Sequence, residues 1–284
     1  MAKEKPTKLP KIFKRERTPR LHIVAWILLP IVRLMFKVVP HGHEKLPKNS
    51  AYVLVGNHVT NVDPLAVAYF GYFILRRAPH FLAKEALFRV PFVGFVLRMG
   101  GQIPVFRGGG SKNDESLRMA HKFLKAGHTI NIFPEGTLTR EPNLWPMRGK
   151  SGAVRLALET EVPVYAIAHW GAEKILPRYG SKFRPGFWKH VDVIVGDEID
   201  LSPYRGRQLS AAELTEATEL VMTKITELVE QLRGEKAPAV RYNPAHSGQT
   251  VTGNFVKAEK AAAAEAKKAA AKAASSSAKK ANKK

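Results

Sequence analysis

From residue 50 onward, short runs rich in β-branched and aromatic residues alternate with stretches of helical periodicity, and that alternation leaves few folds open. Strand-like runs fall at 51–55, 80–83, 100–106, 129–133, 162–170 and 191–197. Helical patterns lie between them. Asp63-Pro64 reads as an N-cap followed by a first-turn proline. Residues 111–126 carry Asp114 and Glu115 in their first turn and Gly127 as a stop, and a long helix over 210–233 stops at Gly234. The pattern predicts an α/β fold, a mixed, largely parallel sheet flanked by helices.

The charge is distributed unevenly. Of a formal net +22, residues 1–20 hold +6 and residues 257–284 hold +7, which leaves +9 for the 236 residues between them. The last 28 residues are a low-complexity Ala/Lys tract with no apolar stripe to dock a helix, so a disordered basic tail is expected. Pro238, Pro244, Gly248 and Gly253 mark the stretch before it as linker. Strongly basic ends suit an anionic partner, either nucleic acid or an anionic membrane surface. Specific nucleic-acid binding would call for aromatic side chains interleaved with basic ones or for a recognition helix, and the sequence offers neither. The chain has no cysteine, which excludes disulfides, Cys-ligated zinc, iron–sulfur clusters and a thiol nucleophile.

Beside the basic N-terminal end lies an apolar run at 21–39, interrupted by Pro30, Arg33 and Lys37. Arg33 and Lys37, four apart, would share a helical face with Trp26 and His22. A spanning helix wants about 20 clean apolar residues, and 38–42 supplies no signal-peptidase site. The expected element is an N-terminal membrane-associating helix at the interface, with its apolar side sunk among the lipids and its basic side at the headgroups. The expected divisions are thus a basic segment at 1–20, the interfacial helix at 21–45, a globular α/β domain at 46–234, and linker plus tail at 235–284.

In open α/β sheets, function gathers where strands end and loops begin. After the first strand-like run comes Asn57-His58-Val59-Thr60-Asn61-Val62-Asp63. A histidine with a carboxylate on its far ring nitrogen can serve as a general base; a loop histidine beside a helix-capping Asp is the plain alternative. Phe133-Pro134-Glu135-Gly136-Thr137-Leu138-Thr139-Arg140 could offer backbone N–H groups and a cation to an anion. Arg107 ends the strand Ile103-Pro104-Val105-Phe106, where a guanidinium can grip phosphate. Taken singly, each is also compatible with an ordinary turn or surface charge. No metal-ligand spacing is visible among the histidines and acidic residues.

Together and in this order, these segments resemble the glycerolipid acyltransferases, most closely the lysophosphatidic acid acyltransferases. The likeness covers about residues 50–200. It runs through Asn57-His58 to Asp63, Ala83-Lys84-Glu85 with Leu87, Pro91 and Gly94, residues 103–107, residues 133–137, Gly149 to Ala153, and Val162-Pro163-Val164. It implies transfer of a fatty acyl group from an acyl thioester, acyl-CoA or acyl carrier protein, to the sn-2 hydroxyl of 1-acylglycerol-3-phosphate, with no cofactor. His58 would then be the base and Asp63 its orienting partner. Phosphate binding would fall to Arg107, Glu135, Gly136 and Thr137, with Lys84 and Arg140 as further cations. The resemblance further implies a peripheral or monotopic enzyme on the cytoplasmic face of the cell membrane, and a lysophospholipid acceptor drawn from it. Two positions depart from the family pattern, Leu138 where an Arg usually follows Glu-Gly-Thr and Ala166 where a second proline is common. The Leu138 departure keeps a different lysophospholipid or membrane-lipid hydroxyl open as the acceptor.

Overall fold

The computed structural model describes residues 9–13, 15–106, 111–180 and 182–247. Residues 1–242 form one unit and 243–284 a second. Within the described part of the second, Pro244–Ser247 forms a short 3-10 turn.

Among the described residues, seven strands form one sheet: β1 (Lys37–His41), β2 (Val53–Gly56), β3 (His80–Lys84), β4 (Ile103–Val105), β5 (Ile130–Ile132), β6 (Val164–Trp170) and β7 (His190–Glu198), in the spatial order β1-β7-β6-β2-β5-β3-β4. All neighbours run parallel except β6 and β7, which pair antiparallel. The helices are α1 (Pro19–Met35), α2 (Asp63–Tyr69), α3 (Pro91–Met99), α4 (Ser111–Lys125), α5 (Gly152–Thr160) and α6 (Ala211–Arg233). The mixed, largely parallel α/β architecture is the one the alternating pattern predicts.

Strand alternation divides the interior into two layers. Val53 and Val55 of β2 join Phe123, Leu156, Val221 and Ile225 on the face covered by α4, α5 and α6. Tyr52 and Leu54 point the other way, to Leu29, Val32, Ala66 and Phe70 of α1, α2 and the turn after it. The same period of two runs along β6, with Val164, Ala166 and Ala168 on one side and Tyr165 and Ile167 on the other. A strand this apolar on both faces is what a buried parallel sheet requires.

The apolar run at 21–39 divides into two elements. Thr18 caps α1 through the Leu21 N–H, and Pro19 occupies the first turn. The helix ends at Met35, where Phe36 turns extended, and Lys37–His41 joins β7 as an edge strand. Val38 and Val39 favour a strand, and Pro40 is tolerated because an edge strand can spare an N–H. Lys37 therefore shares no helical face with Arg33; Lys37–His41 belongs to the sheet and His43–Lys45 forms a 3-10 turn after it, so the expected helix does not run on to residue 45. α1 buries Leu21, Val24, Leu29, Val32 and Met35, while Ile23, Trp26, Ile27, Ile31 and Leu34 are exposed on its other side. Among the described residues, no helix is long and apolar enough to cross a membrane. After α6, residues 235–242 fold back instead of leaving as linker: Ala237 N–H donates to Glu230, and Arg241 donates to Glu219 and Thr226. Residues 1–8 of the expected basic segment at 1–20, and the Ala/Lys tail, lie outside the described residues.

Candidate active site

Strands β2, β5, β3 and β4 are neighbours and run parallel, so the loops at their carboxyl ends open on one edge of the sheet. That edge receives His58 and Asp63 after β2, Glu135 to Arg140 after β5, and Lys84 as the last residue of β3. Arg107, two residues past β4, lies outside the described residues.

The loop between β2 and α2 wraps around Asp63. Its Oδ2 accepts the backbone N–H groups of Val59 at 2.6 Å and Thr60 at 2.8 Å, and lies 3.0 Å from Nδ1 of His58. Asp63 is the first residue of α2, with Val62 at the cap position, so its carboxylate serves the loop instead of capping the helix. The Asp63 side chain is fully buried and that of His58 is 16% exposed. A carboxylate can only accept, so the neutral His58 ring carries its proton on Nδ1 and presents the Nε2 lone pair. The ring stacks on Phe133, centroids 4.3 Å apart and 13° from parallel, which fixes its plane.

The β5 loop grips the main chain of His58 from both sides. Glu135 Oε1 accepts the His58 N–H at 3.1 Å, and the Thr139 N–H donates to the His58 carbonyl at 2.7 Å. The other Glu135 oxygen accepts the Met147 N–H at 3.2 Å. Glu135 is buried, and burial pushes its pKa from the ordinary 4.5 up to about 8, against the pull of the Met147 and His58 hydrogen bonds. Its carboxyl group thus faces the backbone. Gly136 turns with a positive φ of 67°, and a β-carbon there would come within 3.0 Å of the Lys150 Nζ. Arg140 is buried, and the Tyr179 hydroxyl faces both it and Thr137. Lys84 is exposed.

Three contributors escaped the sequence reading as site residues. Lys150 brings an ammonium against the Gly136 turn; its segment, residues 149–153, was visible only as a motif without a role. His169, near the end of β6, donates from Nε2 to the Asn57 carbonyl at 2.8 Å and places Nδ1 3.7 Å from Asp63 Oδ1. Asn57 closes the link, donating to the His169 carbonyl and accepting its N–H, both at 3.0 Å. A polar residue at the end of an otherwise apolar strand was the available signal for His169.

Known proteins resemble this chain in sequence and in fold. The Acyltransferase family matches residues 37–170, from β1 through β6. A 1-acyl-sn-glycerol-3-phosphate acyltransferase of Bacillus subtilis is 30% identical over 203 residues, covering 71% of this chain and 93% of the relative. The chain belongs to the acyltransferase family of enzymes. Borreliella burgdorferi has a relative of the same description, 31% identical over 62% of this chain and 68% of its own length. A chloroplastic one from Brassica napus is 30% identical over 67% of this chain, which spans 55% of that longer protein. These relatives put the chain with the glycerolipid acyltransferases. The crystal structure of the 1-acyl-sn-glycerophosphate (LPA) acyltransferase PlsC from Thermotoga maritima superposes with a TM-score of 0.57 at 26% identity, covering 77% of this acyltransferase and 81% of that chain.

Proposed function

We propose that this acyltransferase moves a fatty acyl group from an acyl thioester to the free sn-2 hydroxyl of 1-acylglycerol-3-phosphate, giving phosphatidic acid. The observation that carries the reading is the His58–Asp63 pair: a partly exposed imidazole whose Nδ1 is committed to a buried carboxylate. The Nε2 lone pair takes the hydroxyl proton as that oxygen attacks the thioester carbonyl. The tetrahedral intermediate then collapses, the carbon–sulfur bond breaks, and the leaving thiolate takes the proton back from His58. Asp63 stabilises the imidazolium in between. No acyl-enzyme is needed, because binding both substrates supplies the proximity.

The acceptor phosphate is assigned to Lys84 and Lys150 at the same edge, with Gly136 and Thr137 shaping the turn beside them, and to Arg107 from the sequence motif alone. The role assigned to Glu135 is to hold the His58 backbone, since both of its oxygens already accept main-chain N–H groups. Either acyl-CoA or acyl carrier protein, both anionic, suits such an edge as donor.

We also assign a membrane surface as the working place, on the cytoplasmic side. Support comes from the exposed apolar stripe of α1 and from Leu87, Val90, Phe92 and Phe95, which directly follow Lys84 in the chain. The relatives' names support the lysophosphatidic acid acceptor, whereas Leu138, buried where the family usually carries an Arg, favours a second reading with another lysophospholipid. A thioester-consumption assay over a panel of lyso-acceptors, with both donor types, separates the two. The first reading expects the highest kcat/KM on lysophosphatidic acid, and a preference for a phosphate-free or choline-bearing acceptor overturns it. His58→Ala should lower turnover by about 10²–10⁴-fold; a folded variant with near-normal kcat removes His58 from the mechanism.

A further inference from the structure

A second cluster of chemistry-bearing side chains lies at the opposite edge of the sheet, away from His58. His80 opens β3, His128 precedes β5, and β3 and β5 are parallel neighbours, so both histidines stand at the strands' amino ends. Glu16, in the segment ahead of α1, reaches the same place. The ligand atoms of the three residues lie within 4.8 Å of one another.

The hydrogen bonds of the two imidazoles decide their tautomers. His80 Nδ1 lies 3.1 Å from the Gly101 carbonyl and His128 Nε2 lies 2.8 Å from the Phe13 carbonyl. A carbonyl only accepts, so each of those nitrogens carries the proton. The remaining nitrogens, His80 Nε2 and His128 Nδ1, therefore hold lone pairs. Both are buried without a hydrogen-bond partner, and the residues themselves are 4% and 2% exposed. A ring whose outer N–H is pinned to a backbone carbonyl while its inner lone pair stays uncommitted is the arrangement of a metal-binding histidine. Buried polar atoms are otherwise nearly always paired.

The space fits as well. A cavity of about 40 Å³ is lined by Glu16, His80 and His128 together with the cations Lys11, Arg20 and Arg98, room enough for an ion and a water. Glu16 Oε1 accepts both the N–H and the hydroxyl of Thr129, and Oε2 accepts from Arg77, which leaves one lone pair, on Oε2, for an ion. Arg77 spreads its other donors over the carbonyls of Lys48, Ser50 and Gly127.

We propose that Glu16, His80 and His128 bind a divalent transition-metal ion of the zinc class, tying the segment ahead of α1 to the amino edge of the sheet. Two neutral imidazoles and one carboxylate are a zinc-type donor set, with water as the fourth ligand. The ligands lie far apart in sequence, which is why no spacing announced them. The proposal does not depend on the identity of the acyl acceptor.

The test uses the untagged full-length chain, stripped with chelator and titrated with Zn²⁺ by calorimetry and with Co²⁺ by visible absorption. One equivalent should bind, the Co²⁺ spectrum should show the intense bands of a tetrahedral site, and Tm should rise on loading. His80→Gln and His128→Gln should each weaken that equivalent by about 10- to 100-fold or more, while His190→Gln, at an exposed position, leaves it intact. Should a histidine variant fail to fold, Glu16→Gln gives the same readout, and zinc-edge X-ray absorption on the unaltered chain should count two imidazole ligands. No stoichiometric binding, an equivalent unchanged in the His80, His128 and Glu16 variants, or fewer than two imidazoles around the ion would overturn the proposal.

Discussion

Nδ1 of His58 stands 3.0 Å from an Asp63 oxygen that also accepts the N–H groups of Val59 and Thr60. One atom therefore orients the proposed base and shapes the loop that carries it. The two jobs can be separated by substitution. Asp63→Asn keeps an oxygen acceptor for the loop but removes the charge that stabilises the imidazolium. Fold and Tm should persist while kcat falls by about 10²–10⁴-fold. Asp63→Ala should instead also lose stability, about 1–3 kcal/mol for each buried N–H left without an acceptor. A folded Asn variant with normal turnover would show that the negative charge is irrelevant to the chemistry.

Glu135 links pH to stability. Burial holds its pKa near 8, above the ordinary 4.5. Between those values the native state binds a proton that the unfolded chain has released, so this group's contribution declines as pH rises, by up to about 1.4 kcal/mol per unit. Below 4.5 the contribution is fully present, and above about 8 it is gone. Glu135→Gln cannot titrate, and its amide leaves one of the His58 and Met147 N–H groups without an acceptor. The variant should therefore be less stable than the parent near pH 5, with a deficit that narrows toward pH 9. Urea midpoints over that range give the comparison, and a deficit independent of pH would contradict a raised pKa.

The site was only partly legible in the sequence, for a physical reason. His58 and Asp63 come from one loop, so their spacing carried their relationship. The alternation of β-branched runs with helical patterns likewise announced the sheet, because a strand buried on both faces is apolar throughout. β1 stayed hidden because Phe36 to Val39 continue the hydrophobicity of α1, and hydrophobicity alone does not mark where helix becomes strand. Glu135 and His169 act through backbone contacts made only when the β5 loop and the end of β6 meet the β2 loop. No local pattern encodes such a meeting.

Asn57 tests that last point. Its side chain pairs with both the N–H and the carbonyl of His169, joining the exit of β2 to β6 beneath Asp63. Asn57→Ala leaves both buried groups unpaired, at about 1–3 kcal/mol each. Thermal unfolding should register the loss, and kcat should fall more than KM changes, since the Asp63 support moves while the phosphate cations do not. An unshifted Tm would mean the link does not hold the loop.

The exposed stripe of α1 gives the membrane assignment its own test. Trp26 is 83% exposed and Leu34 is 68% exposed, on the side of the helix away from Val32, which is buried at 2%. Replacing Trp26 and Leu34 with Ser removes apolar area that contributes nothing to the core, so Tm should hold within about 1 kcal/mol of stability. Lipid contact should suffer, because burying such side chains at an interface is worth about 1.5–3 kcal/mol each. Flotation with vesicles containing anionic lipid should drop by roughly tenfold or more in the double variant, and turnover on vesicle-borne acceptor should fall with it. Turnover on acceptor dispersed below its aggregation threshold should change little, because His58 and Asp63 are untouched. Val32→Ser provides the contrast, lowering Tm through the core. If the double variant floats as well as the parent, α1 is not the contact surface, and the basic ends must carry the association alone.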